Sequence, residues 1–112
     1  MFKDWKAHVT HVKKSFGALG KKHPKMMAAY ASLNDAAAEA LDGKTRELIA
    51  LAVAVTTRCE SCIGVHAEAA IKEGATESEV AGALATAIAL NAGAAYTYAL
   101  RALEAYQVNQ NP

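Results

Sequence analysis

Apolar residues recur along the chain at intervals of three and four, the helical period, and no segment alternates apolar with polar residues as a half-buried strand would. Alanine, the strongest helix former, fills about a quarter of the positions. The pattern predicts an all-α fold of six helices. Trp5, Val9, Val12 and Phe16 mark the apolar face of a first helix over about residues 4–19, with Gly20 as its stop. Pro24 suits the first turn of a second helix, which reads through MMAAYASLNDAAAEA to a stop at Asp42 and Gly43. A third covers residues 44–56. Every position from Leu48 to Val55 is apolar, so this helix is expected to lie buried at the centre of the fold or of an assembly.

Thr57 and Glu60 fit the capping-box pattern, which predicts the start of a fourth helix that ends at Gly74. Thr76 and Glu79 repeat the pattern for a fifth, reading VAGALATAIAL. Asn91 and Gly93 are expected to break the chain there, and AAYTYALRALEAY then forms the sixth. Met26, Met27 and Tyr30 read as core or interface residues, and His8 and His11, beside the first apolar stripe, as facing solvent.

The length of 112 residues and the 53% hydrophobic, 21% charged composition describe one globular domain spanning 1–112. A domain this small, built on alanine, buries little area per residue, which predicts that it completes its core as a symmetric homo-oligomer. The net charge of +1 and pI near 7.8 carry no footprint of nucleic-acid binding. The one basic run, KKHPK at residues 21–25, reads as a solvated helix junction. Charges and histidines interrupt the N-terminal MFKDWKAHVTHVKK where a signal peptide needs an apolar stretch, so the expected location is the cytoplasm. Residues 80–100 form the longest weakly charged tract, but Asn91, Gly93 and the low apolarity of alanine argue against a membrane helix. With no phosphate-binding glycine loop, no nucleotide cofactor is implied.

The candidate chemistry lies in CESCIGVH, residues 59–66. It holds the only two cysteines, Cys59 and Cys62, and His66 four residues on. At about 100° per residue the three side chains fall within roughly a 60° arc of one helix face. Cβ atoms three residues apart are about 5–6 Å apart and a disulfide wants roughly 3.5–4.5 Å, so a small adjustment in a first turn closes the bridge. So short a loop removes little entropy from the unfolded chain, which favours reversible electron transfer over a structural staple. A helix N-terminus and a nearby base both favour the reactive thiolate. Cys59 is closer to the helix start and Cys62 is one turn from His66, and these local effects do not choose between them. A zinc site would take Cys59, Cys62 and His66, with Glu47 as a fourth ligand. Structural zinc sites usually draw a second ligand pair from a distant segment, which this chain lacks, and no metal is expected. Glu47 opens an apolar helix, where its charge needs either a partner or the helix dipole.

Glu47, Cys59, Cys62 and His66, with KTRELIALAV before them and AAIKEGATESEV after, resemble the core of the alkyl hydroperoxidase D-like branch of the carboxymuconolactone decarboxylase family over about residues 40–100. The resemblance implies an all-helical fold, homotrimers or homohexamers, and thiol-dependent reduction of a small-molecule hydroperoxide at the expense of a dithiol electron donor. It further implies that Cys62 attacks the peroxide and passes through a sulfenic acid, that Cys59 is proton donor and resolving thiol, and that Glu47 and His66 relay the proton from Cys62. The chain departs from the better-characterised peroxidases of this branch at Ser61, where they carry a histidine. The decarboxylase branch lacks the cysteine pair, which argues against lactone decarboxylation. A dithiol sensor, or a reductant of a partner protein without peroxidase turnover, is the alternative from another functional class.

Overall fold

The computed structural model describes residues 2–111. Their elements are α1 (Trp5–Lys22), α2 (Pro24–Ala37), α3 (Gly43–Thr56), α4 (Glu60–Lys72) and α5 (Glu77–Gln110), with no strand among them. The expected all-α class holds. Each start has a local cause. Asp4 caps α1 by accepting from the Ala7 amide at 3.1 Å, and Pro24 stands at the head of α2, where its missing N–H costs nothing. Asp42 accepts from the Thr45 amide at 2.9 Å to open α3. Thr76 and Glu79 close a capping box at α5, with bonds of 3.1 Å and 3.0 Å.

Two expectations about helix limits need correction. The predicted fifth and sixth helices are one continuous helix of 34 residues, so the described residues form five helices and not six. Asn91 does not break it because its side-chain amide donates to the Ala87 carbonyl at 2.7 Å and to Thr56 Oγ1 of α3 at 2.8 Å. Those bonds remove the competition with the backbone that makes asparagine a poor helix former. One glycine costs about 1 kcal/mol relative to alanine, and Gly93 alone does not stop a helix of this length. The second correction concerns the start of α4. Thr57 belongs to the end of α3, where its hydroxyl donates to the Val53 carbonyl at 2.9 Å, and Arg58 turns the chain at a left-handed φ of 54°. Cys59, not Thr57, is the N-cap.

The helix α3 packs against α4 and α5, α1 lies across α4, and α2 touches α1. Gly64 allows the crossing of α1 and α4, since a Cβ there would stand 2.9 Å from Val9 Cγ2. His8 is half-buried at this crossing, with its Nε2 enclosed and unpartnered, whereas His11 is exposed. The buried core is small: Val9, Leu51, Ala54, Ala70 and Ala87. The radius of gyration is 18.8 Å, against about 13 Å for a compact chain of this length. The surface of 8813 Å² is roughly half as much again as a compact monomer of this mass exposes.

Large apolar side chains contribute to the exposed surface. Ile49 and Val53 of α3 are 48% and 54% exposed, and Ile88, Leu90, Tyr96 and Tyr98 of α5 more so. The full burial expected for α3 is therefore not met within one chain; Leu51 and Ala54 are its buried residues. Because Asn91 and Gly93 leave α5 unbroken, this helix is also long and apolar enough to cross a membrane by length and composition, with a mean hydropathy of 1.3 over its most apolar stretch. Core helices of soluble proteins meet the same measure.

Candidate active site

The site forms where the start of α4 meets the face of α3. Cys59 and Cys62 are joined as a disulfide with their Cα atoms 5.2 Å apart. The Cys62 amide points at Cys59 Sγ at 3.2 Å, so the sulfur occupies the capping position that an oxygen usually fills. The turn that aims it is built from α3. The Cys59 amide bonds the Ala54 carbonyl at 3.0 Å, and Arg58 in the left-handed region redirects the chain.

One turn further along α4, His66 Nδ1 lies 2.6 Å from Glu47 Oε2. The Glu47 side chain is 12% exposed and that of His66 35%. The charge at the head of the apolar helix thus has a side-chain partner, and the helix dipole is not its only compensation. The other titratable groups nearby are surface pairs. Lys3 bonds Glu60 in the first turn of α4 and holds its carboxyl below the ordinary range. Lys13 bonds Glu68 at 2.6 Å with the same effect.

Cys62 and His66 together line two hollows. One, of about 380 Å³, lies between α1, α2 and α4, with walls that include Val12, Phe16, Tyr30 and Val65 and polar edges at Lys13, Asn34 and Ser61. Phe16 and Tyr30 pack with ring centres 5.4 Å apart. The other, of about 360 Å³, lies toward α3 and takes in Leu41, Arg46, Ile49 and Val53. Arg46 reaches from it to Asn34 Oδ1 at 2.5 Å, tying α2 to α3. The four residues singled out in the sequence therefore stand together: Cys59 bonded to Cys62, Cys62 beside His66, and His66 bonded to Glu47. Sequence reasoning missed Arg46, Asn34, Phe16 and Tyr30 as wall residues. Arg46 stood beside Glu47 in the quoted KTRELIALAV, but its partner on α2 is a tertiary feature that no spacing announces. Among the described residues, no three His, Cys, Asp or Glu side chains are grouped to hold a metal ion.

The family model for the carboxymuconolactone decarboxylase family matches residues 24–105. The chain belongs to that family. A crystal structure of a family member from Legionella pneumophila, in its apo form, superposes with a TM-score of 0.74 at 35% identity, covering 92% of this chain and 94% of that one. Among curated proteins, an uncharacterised protein of Haemophilus influenzae is 74% identical over 98% of this chain and 99% of its own length. An uncharacterised protein of Cupriavidus necator is 35% identical over 92% of this chain and 93% of its own. Within the matched residues lie the Cys59–Cys62 disulfide and the hydrogen-bonded pair of His66 and Glu47.

Proposed function

We propose that the protein is a thiol-dependent peroxidase of the alkyl hydroperoxidase D-like branch, reducing organic hydroperoxides in the cytoplasm. The observation that carries this reading is the line from Cys62, through His66 alongside it, to Glu47 at 2.6 Å from the ring. In the reduced protein His66 takes the Cys62 proton, directly or through one water, and Glu47 holds the imidazole in place and balances its charge. The Cys62 thiolate attacks the distal peroxide oxygen. A sulfur–oxygen bond forms, the oxygen–oxygen bond breaks, and the alkoxide leaves as an alcohol on receiving a proton from Cys59 or the relay. Cys59 sulfur then attacks Cys62, a water leaves, and the disulfide of the present structure results. A dithiol donor returns the two electrons by exchange.

The apolar walls around Phe16 and Tyr30 favour an alkyl or aryl peroxide over hydrogen peroxide. Ser61 supplies a hydroxyl on the same wall, at the position where the better-characterised peroxidases have an imidazole. The exposed apolar faces of α3 and α5 are assigned to copies of the same chain in a homotrimer or homohexamer. Steady-state peroxidase assays with cumene hydroperoxide and dithiothreitol test the reading. Cys62→Ser is expected to abolish turnover, and full activity in that variant refutes the assignment. Oxidation that stops after one equivalent despite excess dithiothreitol would instead favour the sensor.

A further inference from the structure

We propose that the lysine-bearing face of α1 is the docking surface for an acidic protein dithiol, the donor that reduces Cys59–Cys62; this rests on the redox reading above. The overall charge of +1 conceals a strong asymmetry. Residues 1–25 carry seven lysines and one acid, Asp4, whereas residues 26–112 carry five basic and ten acidic side chains. Within α1 there is no Asp or Glu at all. Lys6, Lys13, Lys14 and Lys21 fall within about a 100° arc, on a strip roughly 22 Å long. Its middle lies about 120° round the helix from the Trp5, Val9 and Val12 stripe, and Lys13, at its near edge, pairs with Glu68 of α4. The residues between the lysines, Thr10 and Gly17, are small and leave the strip flat. Lys6, Lys14, Lys21 and Lys22 are exposed and have no ion-pair partner among the described residues.

One residue connects this strip to the sulfur. Lys13 belongs to the row and also edges the hollow lined by Cys62 and His66. A partner held by its acidic groups on the row therefore lies beside the mouth through which its thiol reaches Cys62. In the exchange the donor thiolate attacks Cys62 Sγ, the bond to Cys59 breaks, and Cys59 leaves as a thiolate. The donor's second thiol then displaces Cys62, closing the donor disulfide. The strip holds no aromatic side chain to stack a base and no arginine to fork onto phosphate, which favours a carboxylate-rich protein surface over nucleic acid.

The test uses the oxidised full chain and two synthetic peptides sharing a Cys-Gly-Pro-Cys core, one flanked by glutamates and the other by glutamines. Stopped-flow reduction is expected to be about tenfold faster with the glutamate peptide at low ionic strength. The advantage should vanish near 1 M salt and in Lys6→Gln/Lys14→Gln/Lys21→Gln, which removes the unpaired lysines of the strip. The glutamine peptide and dithiothreitol should reduce the triple variant and the parent equally. Equal rates for the two peptides, an advantage that survives the triple substitution, or reduction by dithiothreitol but by neither peptide each overturns the inference. Duplex DNA that competes better than polyglutamate at equal charge overturns it in favour of a nucleic-acid surface. Failure of dithiothreitol to reduce the disulfide would instead bring down the redox reading itself.

Discussion

Glu47→Gln is the most informative single change, because it keeps shape and removes charge at the one residue that joins α3 to the relay. Glu47 Oε2 sits 2.6 Å from His66 Nδ1. The glutamine amide oxygen can accept the same bond, so the imidazole stays in place while the carboxylate that balances its positive charge is gone. A charge-assisted bond is roughly twice as strong as a neutral one, and the His66 side chain is 35% exposed, so water screens part of the difference. The stability loss is then about 1 kcal/mol. That corresponds to a fall of about 0.5 M in the urea midpoint. The kinetic loss is larger: His66 keeps its place as the base but loses the carboxylate that stabilises the imidazolium it becomes. Removing one such preorganised electrostatic group costs about 10²–10³-fold, so the variant should oxidise about 100-fold more slowly. The assay is a stopped-flow single turnover, mixing reduced protein with cumene hydroperoxide and following loss of thiol. Reduction of the disulfide by dithiothreitol serves as the control and should be unchanged. An oxidation rate within threefold of the parent would refute the relay, whatever happens to stability.

Glu79 has its carboxyl held down to about 2 by hydrogen bonding to Lys44 and then by the Thr76 amide. Because the folded value is depressed, its stabilisation is present above the unfolded value near 4.5 and is lost as pH falls toward about 2, so Glu79→Gln should flatten the acid limb of a pH-dependent thermal melt. Gly64→Val should force α1 away from α4, since even a Cβ would stand 2.9 Å from Val9 Cγ2; a loss of about 2–3 kcal/mol is expected by urea unfolding, and an unchanged midpoint would show that the crossing is loose. Asn91→Ala deletes the 2.8 Å bond to Thr56 Oγ1 and should cost about 1 kcal/mol while leaving helix content by circular dichroism unchanged. Leu90→Asp places a charge on an apolar residue that is 68% exposed in the single chain; under the proposed self-association through α5, light scattering should give a smaller mass for the variant than for the parent, and an equal mass would refute that interface.

Elements whose limits depend on local chemistry were legible in the sequence. Pro24, the Thr76 and Glu79 pair, and Gly74 at its positive φ of 80° fall where the chain requires them. Errors arose where a distant group decided the outcome. Asn91 looked like a breaker because its partner, Thr56, lies 35 residues away on α3. Thr57 looked like a cap because nothing local announces that Arg58 turns left-handed. The shared face of Cys59, Cys62 and His66 followed from helix geometry alone. The bond between Glu47 and His66 spans 19 residues and two helices, so spacing could not reveal it and only the family resemblance pointed there. The openness of the fold was foreshadowed by the alanine content, yet the location of the exposed apolar faces had to come from the packing of α3 and α5.

The most direct measurement is a thiol count with intact-mass analysis on reduced protein, before and after one equivalent of cumene hydroperoxide, with zinc assayed on the same sample. The peroxidase reading predicts that both thiols disappear, that the mass falls by their two hydrogens, and that no zinc accompanies the chain. Thiols that survive the peroxide, with one zinc bound per chain, would contradict it and make the Cys59, Cys62 and His66 cluster a metal site.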